Sequence, residues 1–191
     1  MAAERFPLSD PTLPIDPEAA TRALGVALAA RHADGHAANE GAGPPPGPVL
    51  RLDDLARDLV DAAAGHTGTV TAGPLRGRGV EELAGLAAAA VAALPTERPS
   101  TLVKVTPGLA LEACHISTRG DVEIADATVW GDPHLDLAAA AVGVAERFGT
   151  AVVAPLVDAY GVDAVDLRTL DTCQQLIAVA AEVGWPEPGR A

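Results

Sequence analysis

The chain has 191 residues, enough for one domain with its own hydrophobic core. Its formal net charge of -13 argues against binding to nucleic-acid phosphates or anionic lipid, and it is typical both of soluble proteins and of proteins that bind cations. Two cysteines are too few for a disulfide framework or a zinc site. No apolar run is long enough to span a bilayer and no signal peptide is recognisable, so we expect a cytoplasmic protein.

Prolines and a capping signal divide the first quarter of the chain. Residues 1–16 are proline-rich and are expected to be extended, without regular structure. Asp16 as a cap and Pro17 as the first helical residue then predict a helix to Ala33. Residues 34–48 are rich in glycine and proline, which predicts a loop.

Two more helices are expected before the middle of the chain. Residues 51–64 carry leucines at helical spacing with aspartates between them, which is typical of a helix with a solvated acidic face. Residues 80–94 are apolar on most sides, so we expect a central helix beneath the following β hairpin. The segment between these helices contains several glycines and is expected to be a loop.

Residues 100–141 contain the predicted β structure. An apolar β-branched run ends at a turn at Pro107 and Gly108, and a second extended run ends at a turn around Gly120. A short strand at 122–125 and a loop then lead to a helix that begins near Asp132. We expect the rest of the chain to pack as helices around this one β element, over residues 134–148, 150–160 and 165–183.

The residues after this hairpin resemble a known family. Asp126 is followed by Gly131-Asp132-Pro133-His134-Leu135-Asp136-Leu137-Ala138, which resembles the metal-binding Asp and the Gly-Asp-Pro-x-x-Asp-Leu-Ala helix start of the aminoglycoside phosphotransferases, a branch of the protein-kinase-like fold. Arg31-His32-Ala33 is similar to the end of that family's first large-lobe helix. The resemblance covers about residues 8–180.

The resemblance implies an α+β, mostly helical fold that corresponds to a kinase-like large lobe with a small β hairpin. It implies a hinge-like extended segment over 1–16, a single domain over 17–184 and a tail over 185–191. Since the match begins at the hinge, we expect the N-terminal nucleotide-binding lobe to be absent.

The family's catalytic His-Gly-Asp loop, which ends in Asn, has no counterpart here. Aligned on the Val-Thr-x-Gly pattern, Pro107-Gly108-Leu109 replaces the triplet and Cys114 replaces the Asn. Aligned on the strand end, Lys104-Val105-Thr106 replaces the triplet and Leu111 replaces the Asn. In both alignments the carboxylate that would serve as general base is missing.

Candidate site residues follow from these alignments. The resemblance implies Asp126 as a metal ligand and the acidic helix as a polyamine contact, while an active site of different chemistry would use strand residues. Cys114 and His115 lie on opposite strand faces and cannot form a thiol–imidazole pair. The candidates are, for a metal, Asp126; for ligand binding, Asp54, Asp58, Asp61 and Trp130; and for catalysis, Lys104, Thr106 and His115.

Three functions stay open. The first is a degenerate, pseudokinase-like homologue that binds a small molecule or a protein partner in secondary metabolism or resistance. The second is an enzyme of different chemistry in natural-product tailoring, and the third is one half of a split phosphotransferase, the only one of the three that requires ATP and Mg²⁺. We expect no cofactor otherwise, and a homodimer or hetero-complex through the surface that a nucleotide lobe would cover.

Overall fold

The computed structural model describes residues 4–39, 47–95, 102–125 and 129–186, without the side chains of residues 35–39. Within these ranges the fold is α+β and mostly helical, as the sequence predicts. The helices are α1 (Pro17–Asn39), α2 (Leu52–Ala63), α3 (Val80–Ala92), α4 (His134–Phe148), α5 (Val153–Tyr160) and α6 (Leu167–Val183). The strands are β1 (Arg5–Pro7), β2 (Val49–Leu50), β3 (Val103–Val105), β4 (Cys114–Ser117), β5 (Val122–Ile124) and β6 (Val129–Gly131).

The described strands form two small sheets, so the expectation of a single β element was wrong. One sheet has the order β1-β4-β5 and is antiparallel, and it contains the predicted hairpin. The other has the order β2-β6-β3, with β6 parallel to β2 and antiparallel to β3. We expected a loop at β6. The sequence did not reveal this strand because its partners are distant in sequence, and only the folded chain brings them to it.

Strand β1 corrects the expectation that residues 1–16 lack regular structure. The N–H of Leu8 donates to the carbonyl of Cys114 at 2.8 Å, and Pro7 lies opposite His115. The backbone N–H groups of alternate residues point to the partner strand, and that of Leu8 does so. The nitrogen of the preceding residue, Pro7, therefore points to the open edge of the sheet. A missing N–H is tolerated there, since β1 is an edge strand.

Helix α1 begins as predicted and ends later. The carboxylate of Asp16 accepts the N–H of Glu18 at 3.0 Å, which is the expected cap. The helix continues to Asn39, so residues 34–39 are not part of a loop. No proline interrupts this stretch, and a single glycine at position 35 costs a helix only about 1 kcal/mol.

Helix α3 is not beneath the hairpin, contrary to the prediction. It packs against α2 and α6, and the hairpin strand β5 packs against α1 instead. Only one face of α3 is buried, and Leu86 on another face is 46% exposed. The high alanine content of α3 makes every face look apolar in sequence, so the sequence did not identify the buried side.

The C-terminal helices agree with the sequence analysis. Helices α4 and α5 are followed by Gly149 and Gly161, with φ of 93° and 114°, a conformation that glycine adopts without strain. Cys173 of α6 is fully buried. Within the described ranges, no helix is long and apolar enough to cross a membrane.

Candidate ligand-binding site

Hydrogen bonds to two helices hold the turn that follows β3. The backbone N–H of Thr106 donates to Oδ1 of Asp136 on α4 at 2.8 Å, and Arg31 on α1 donates from Nη2 to Oγ1 of Thr106 at 2.7 Å. The N–H of Leu109 donates to the carbonyl of Thr106 at 3.0 Å, and Gly108 has a φ of 66° that closes the turn. The backbone of this turn is therefore fixed in position relative to α1 and α4.

Behind the turn, Asp136 belongs to a buried hydrogen-bonded chain. Its Oδ2 lies 3.3 Å from Nε2 of His32, and Nδ1 of His32 lies 2.8 Å from the hydroxyl of Tyr160. A carboxylate only accepts, so Nε2 of His32 donates to Asp136, and a neutral imidazole then accepts at Nδ1 from the hydroxyl of Tyr160. Burial first, and then the charges of Asp132 and Asp136, raise the pKa of Tyr160 to about 12. Tyr160 thus keeps its phenolic proton at neutral pH and links His32 to α5.

A cleft of about 370 Å³ lies beside this turn. Its walls come from residues 108–112, from α4 and α6, and from Trp185. The indole of Trp185 lies directly over Gly108, where a Cβ atom would be 2.5 Å from Nε1 of the indole. The carboxylates of Glu112 and Glu146 lie on the rim, and both residues are exposed.

A second, smaller cleft of about 190 Å³ adjoins the first. The two clefts share the lining residues Val142, Glu146, Ile177 and Ala181. Its outer wall is the loop of residues 70–75. Thr71 fixes this loop to α6, because its N–H and its hydroxyl both donate to Oε1 of Glu182 at 2.7 Å. These hydrogen bonds lower the pKa of Glu182. Glu146 therefore lines both clefts.

Two carboxylates and an indole around these clefts are groups that can attract an organic cation. Glu112 and Glu146 supply negative charge, and the indole of Trp185 supplies an aromatic surface that attracts cations. Apolar residues such as Ile177 line most of the remaining wall, which also includes Arg147. Nη2 of Arg147 donates to the carbonyl of Asp10 at 2.9 Å. Among the described residues, no group of three histidine, cysteine or acidic side chains is placed to hold a metal ion.

The candidate catalytic residues of the strands lie apart from each other. Thr106 is in the anchored turn, whereas the side chain of Lys104 is exposed on β3, with its Nζ 5.9 Å from the ring centroid of Trp130. Trp130 itself is only 5% exposed. His115 lies on the face of β4 opposite Cys114, as predicted, and it pairs in register with Glu123 of β5. Burial raises the pKa of Cys114 to about 12, so its thiol stays protonated.

The acidic residues of α2 lie at a different place. Asp61 lines a separate groove between α2 and α3, and Asp54 forms an ion pair with Arg57 at 2.9 Å. Asp58 is on the same helix and is half-buried. Asp126, the candidate metal ligand, lies outside the described residues. The candidates that lie within the described residues are thus not brought together around the cleft.

The residues that surround the cleft were not identified from the sequence. Glu112, Glu146 and Trp185 come from three distant segments, and Trp185 was assigned to the tail. The sequence did contain a weak signal for Asp136, whose carboxylate holds the turn. Asp136 is the one acidic residue in the apolar run 135–141, and a lone carboxylate in such a run predicts a buried hydrogen-bond acceptor.

Comparison with solved structures identifies the fold. An aminoglycoside-3'-phosphotransferase of type VIII superposes over 93% of this chain and 66% of its own, with a TM-score of 0.63 and 18% sequence identity. The fold is kinase-like. Aminoglycoside phosphotransferase APH(3'')-Id from Streptomyces rimosus superposes over 88% of this chain and 62% of its own, with a TM-score of 0.58 and 20% identity. The chain thus spans less than two thirds of the length of these proteins. No protein-family model and no curated protein matches the sequence.

Proposed function

We propose that this kinase-like chain binds a small organic cation in the cleft beside Gly108 and does not itself transfer a phosphoryl group. One observation carries the proposal: Glu112, Glu146 and Trp185 surround a cleft next to an anchored turn that contains no acidic residue. The chain would thus be a degenerate, pseudokinase-like protein that corresponds to the large lobe.

Charge and shape support a cationic ligand. The rim carboxylates of Glu112 and Glu146 can each form a charge-assisted hydrogen bond with an ammonium group, while the indole and the aliphatic wall accommodate the ligand's carbon skeleton. The net charge of -13 adds a long-range attraction for polycations. Both solved neighbours are named for aminoglycosides, so polyamino sugars and polyamines are the first ligands to test.

The turn after β3 supports the absence of phosphoryl transfer. That reaction needs a carboxylate to orient and deprotonate the attacking hydroxyl. The two sequence alignments put Leu109 or Thr106 at this position, and neither side chain is a base. The side chain of Thr106 is further occupied by Arg31. We therefore propose that no ATP or Mg²⁺ is needed for the function of this chain.

Thermal-shift titration with kanamycin and spermine tests the ligand. A cation that binds only the folded state at a hundred times its dissociation constant adds about 2.7 kcal/mol to the free energy of unfolding. We expect a raised Tm that Glu146→Gln and Glu112→Gln abolish. Asp163→Asn removes the same charge from an exposed position elsewhere, and it should leave the shift unchanged.

Two results would contradict the proposal. If neither polycation raises the Tm, the cleft does not bind this ligand class. If the purified chain transfers phosphate from ATP·Mg²⁺ to kanamycin, it is a phosphotransferase in spite of the turn. Assembly as a homodimer or hetero-complex and a role in secondary metabolism or resistance stay predictions, the first of which light scattering of the purified chain tests.

A further inference from the structure

A groove of about 670 Å³ lies between α2 and α3 and shares no lining residue with the cleft described above. Its α2 wall carries two parallel rows of side chains at four-residue spacing. One row is apolar and the other charged: Leu52, Ala56 and Val60, and Asp53, Arg57 and Asp61. Because residues four apart lie on one helix face, the charged row runs along the rim beside the apolar row.

The opposite wall of the groove has a different character. Helix α3 contributes Ala88, Val91 and Ala92, which are apolar and small to medium in size. Small side chains let a third helix approach closely, within the 8–10 Å between axes that packed helices adopt. The groove is therefore apolar between the two helices, while Arg51 and Asp132 add charged groups to its lining. The row at four-residue spacing along α2 is charged in the order negative, positive, negative.

We propose that this groove docks an amphipathic helix of a partner protein, whose apolar stripe enters the groove. Beside that stripe the partner helix presents a basic, an acidic and a basic residue at four-residue spacing, opposite Asp53, Arg57 and Asp61. Asp53 and Asp61 are eight residue steps apart on α2, about 12 Å, which corresponds to more than two turns of a docked helix.

The alternating charges would fix the register of the docked helix. A slip by one four-residue step puts like charges opposite each other, which disfavours the shifted complex. Arg57 already donates to Asp54 at 2.9 Å, but its guanidinium has further N–H groups for a partner carboxylate. The partner stripe would cover Leu52 and Val60, which are half-exposed in this chain.

Two fluorescein-labelled helical peptides of 18 residues test the proposal with the full chain. Both peptides have the same leucine stripe, and the charged positions beside it read Lys-Glu-Lys in one and Glu-Lys-Glu in the other. By fluorescence anisotropy at low salt we expect the Lys-Glu-Lys peptide to bind with at least a tenfold lower Kd. The triple variant Asp53→Arg, Arg57→Asp, Asp61→Arg should reverse this preference, and kanamycin should not compete with either peptide.

A second pair of variants tests the α3 wall without changing the charges of α2. Ala92→Arg places a long side chain in the groove and should weaken binding at least tenfold. Ala89→Arg, exposed on the same helix but outside the groove, should leave the Kd within twofold. Circular dichroism melting of each variant confirms folding, and if the triple variant fails to fold, this pair decides. Equal Kd values for the two peptides, no binding at 100 µM, or equal effects of Ala92→Arg and Ala89→Arg would overturn the proposal.

Discussion

The carboxylate of Asp136 accepts the backbone N–H of Thr106 at 2.8 Å across 30 residues of sequence. This hydrogen bond joins the first turn of α4 to the turn that forms one wall of the cleft. His32 and Tyr160 continue the hydrogen-bonded chain to α1 and α5. The stability of the fold and the shape of the cleft therefore depend on the same buried side chains.

Removing the carboxylate of Asp136 should destabilise the whole fold. Asp136 is fully buried, so Asp136→Ala leaves the N–H of Thr106 and the Nε2–H of His32 without an acceptor. We expect the free energy of unfolding to fall by about 3 kcal/mol, from about 1–3 kcal/mol for each buried group left unpaired. Urea unfolding measures this change. Asp158→Asn at an exposed position should change it by less than about 0.5 kcal/mol, and equal losses would show that Asp136 has no special structural role.

The single tyrosine allows a direct test of its pKa. Absorbance at 295 nm should show Tyr160 ionising near pH 12 in the native protein, against a reference value of 10.0. Between these values the unfolded chain has lost the phenolic proton that the native chain retains, so the free energy of unfolding should fall as the pH rises from 10 to 12. Tyr160→Phe should make this fall less steep. A native midpoint near pH 10 would contradict the partly buried position of the hydroxyl.

Replacing either of two helical glycines by alanine should change the free energy of unfolding, but in opposite directions. A Cβ at Gly25 would be 2.5 Å from the carbonyl oxygen of Leu156, because α1 and α5 approach closely there. Gly25→Ala should lower the free energy of unfolding by roughly 1–3 kcal/mol through overpacking. A Cβ at Gly85 of α3 would have nothing within 4 Å. Gly85→Ala should therefore raise the free energy of unfolding by about 0.5–1 kcal/mol through higher helix propensity. Thermal melts that show the same sign for both would contradict this packing of α1 on α5.

Gly108→Ala should displace Trp185 from the turn. The new Cβ would overlap the indole, and the φ of 66° adds backbone strain of roughly 1–2 kcal/mol. Trp130 is 5% exposed and should stay buried, so a red shift of tryptophan emission would report Trp185. Gly120→Ala is the control, since its φ is 87° and nothing lies within 4 Å of the new Cβ. An unshifted spectrum for Gly108→Ala would mean that Trp185 does not cover the turn.

Local sequence signals determined much of the helical framework. The cap at Asp16, the leucine spacing of α2, and the glycines after α4 and α5 act through neighbouring residues, so they can be recognised without knowledge of the fold. The hairpin of β4 and β5 was recognisable for the same reason, because its turn and its alternating burial are local. The run from Gly131 to Ala138 also pointed to the kinase-like fold that the solved neighbours share.

Only the tertiary structure decided the second sheet and the cleft. Strand β6 exists because β2 and β3 reach it from distant parts of the chain, and its own three residues carry no strand pattern strong enough to predict it. Glu112, Glu146 and Trp185 meet for a similar reason, since they come from three segments that are distant in sequence. A side chain's position in sequence determines which face of its own element it occupies. Which other side chains it meets depends on how the elements pack, and that information is spread over the whole chain.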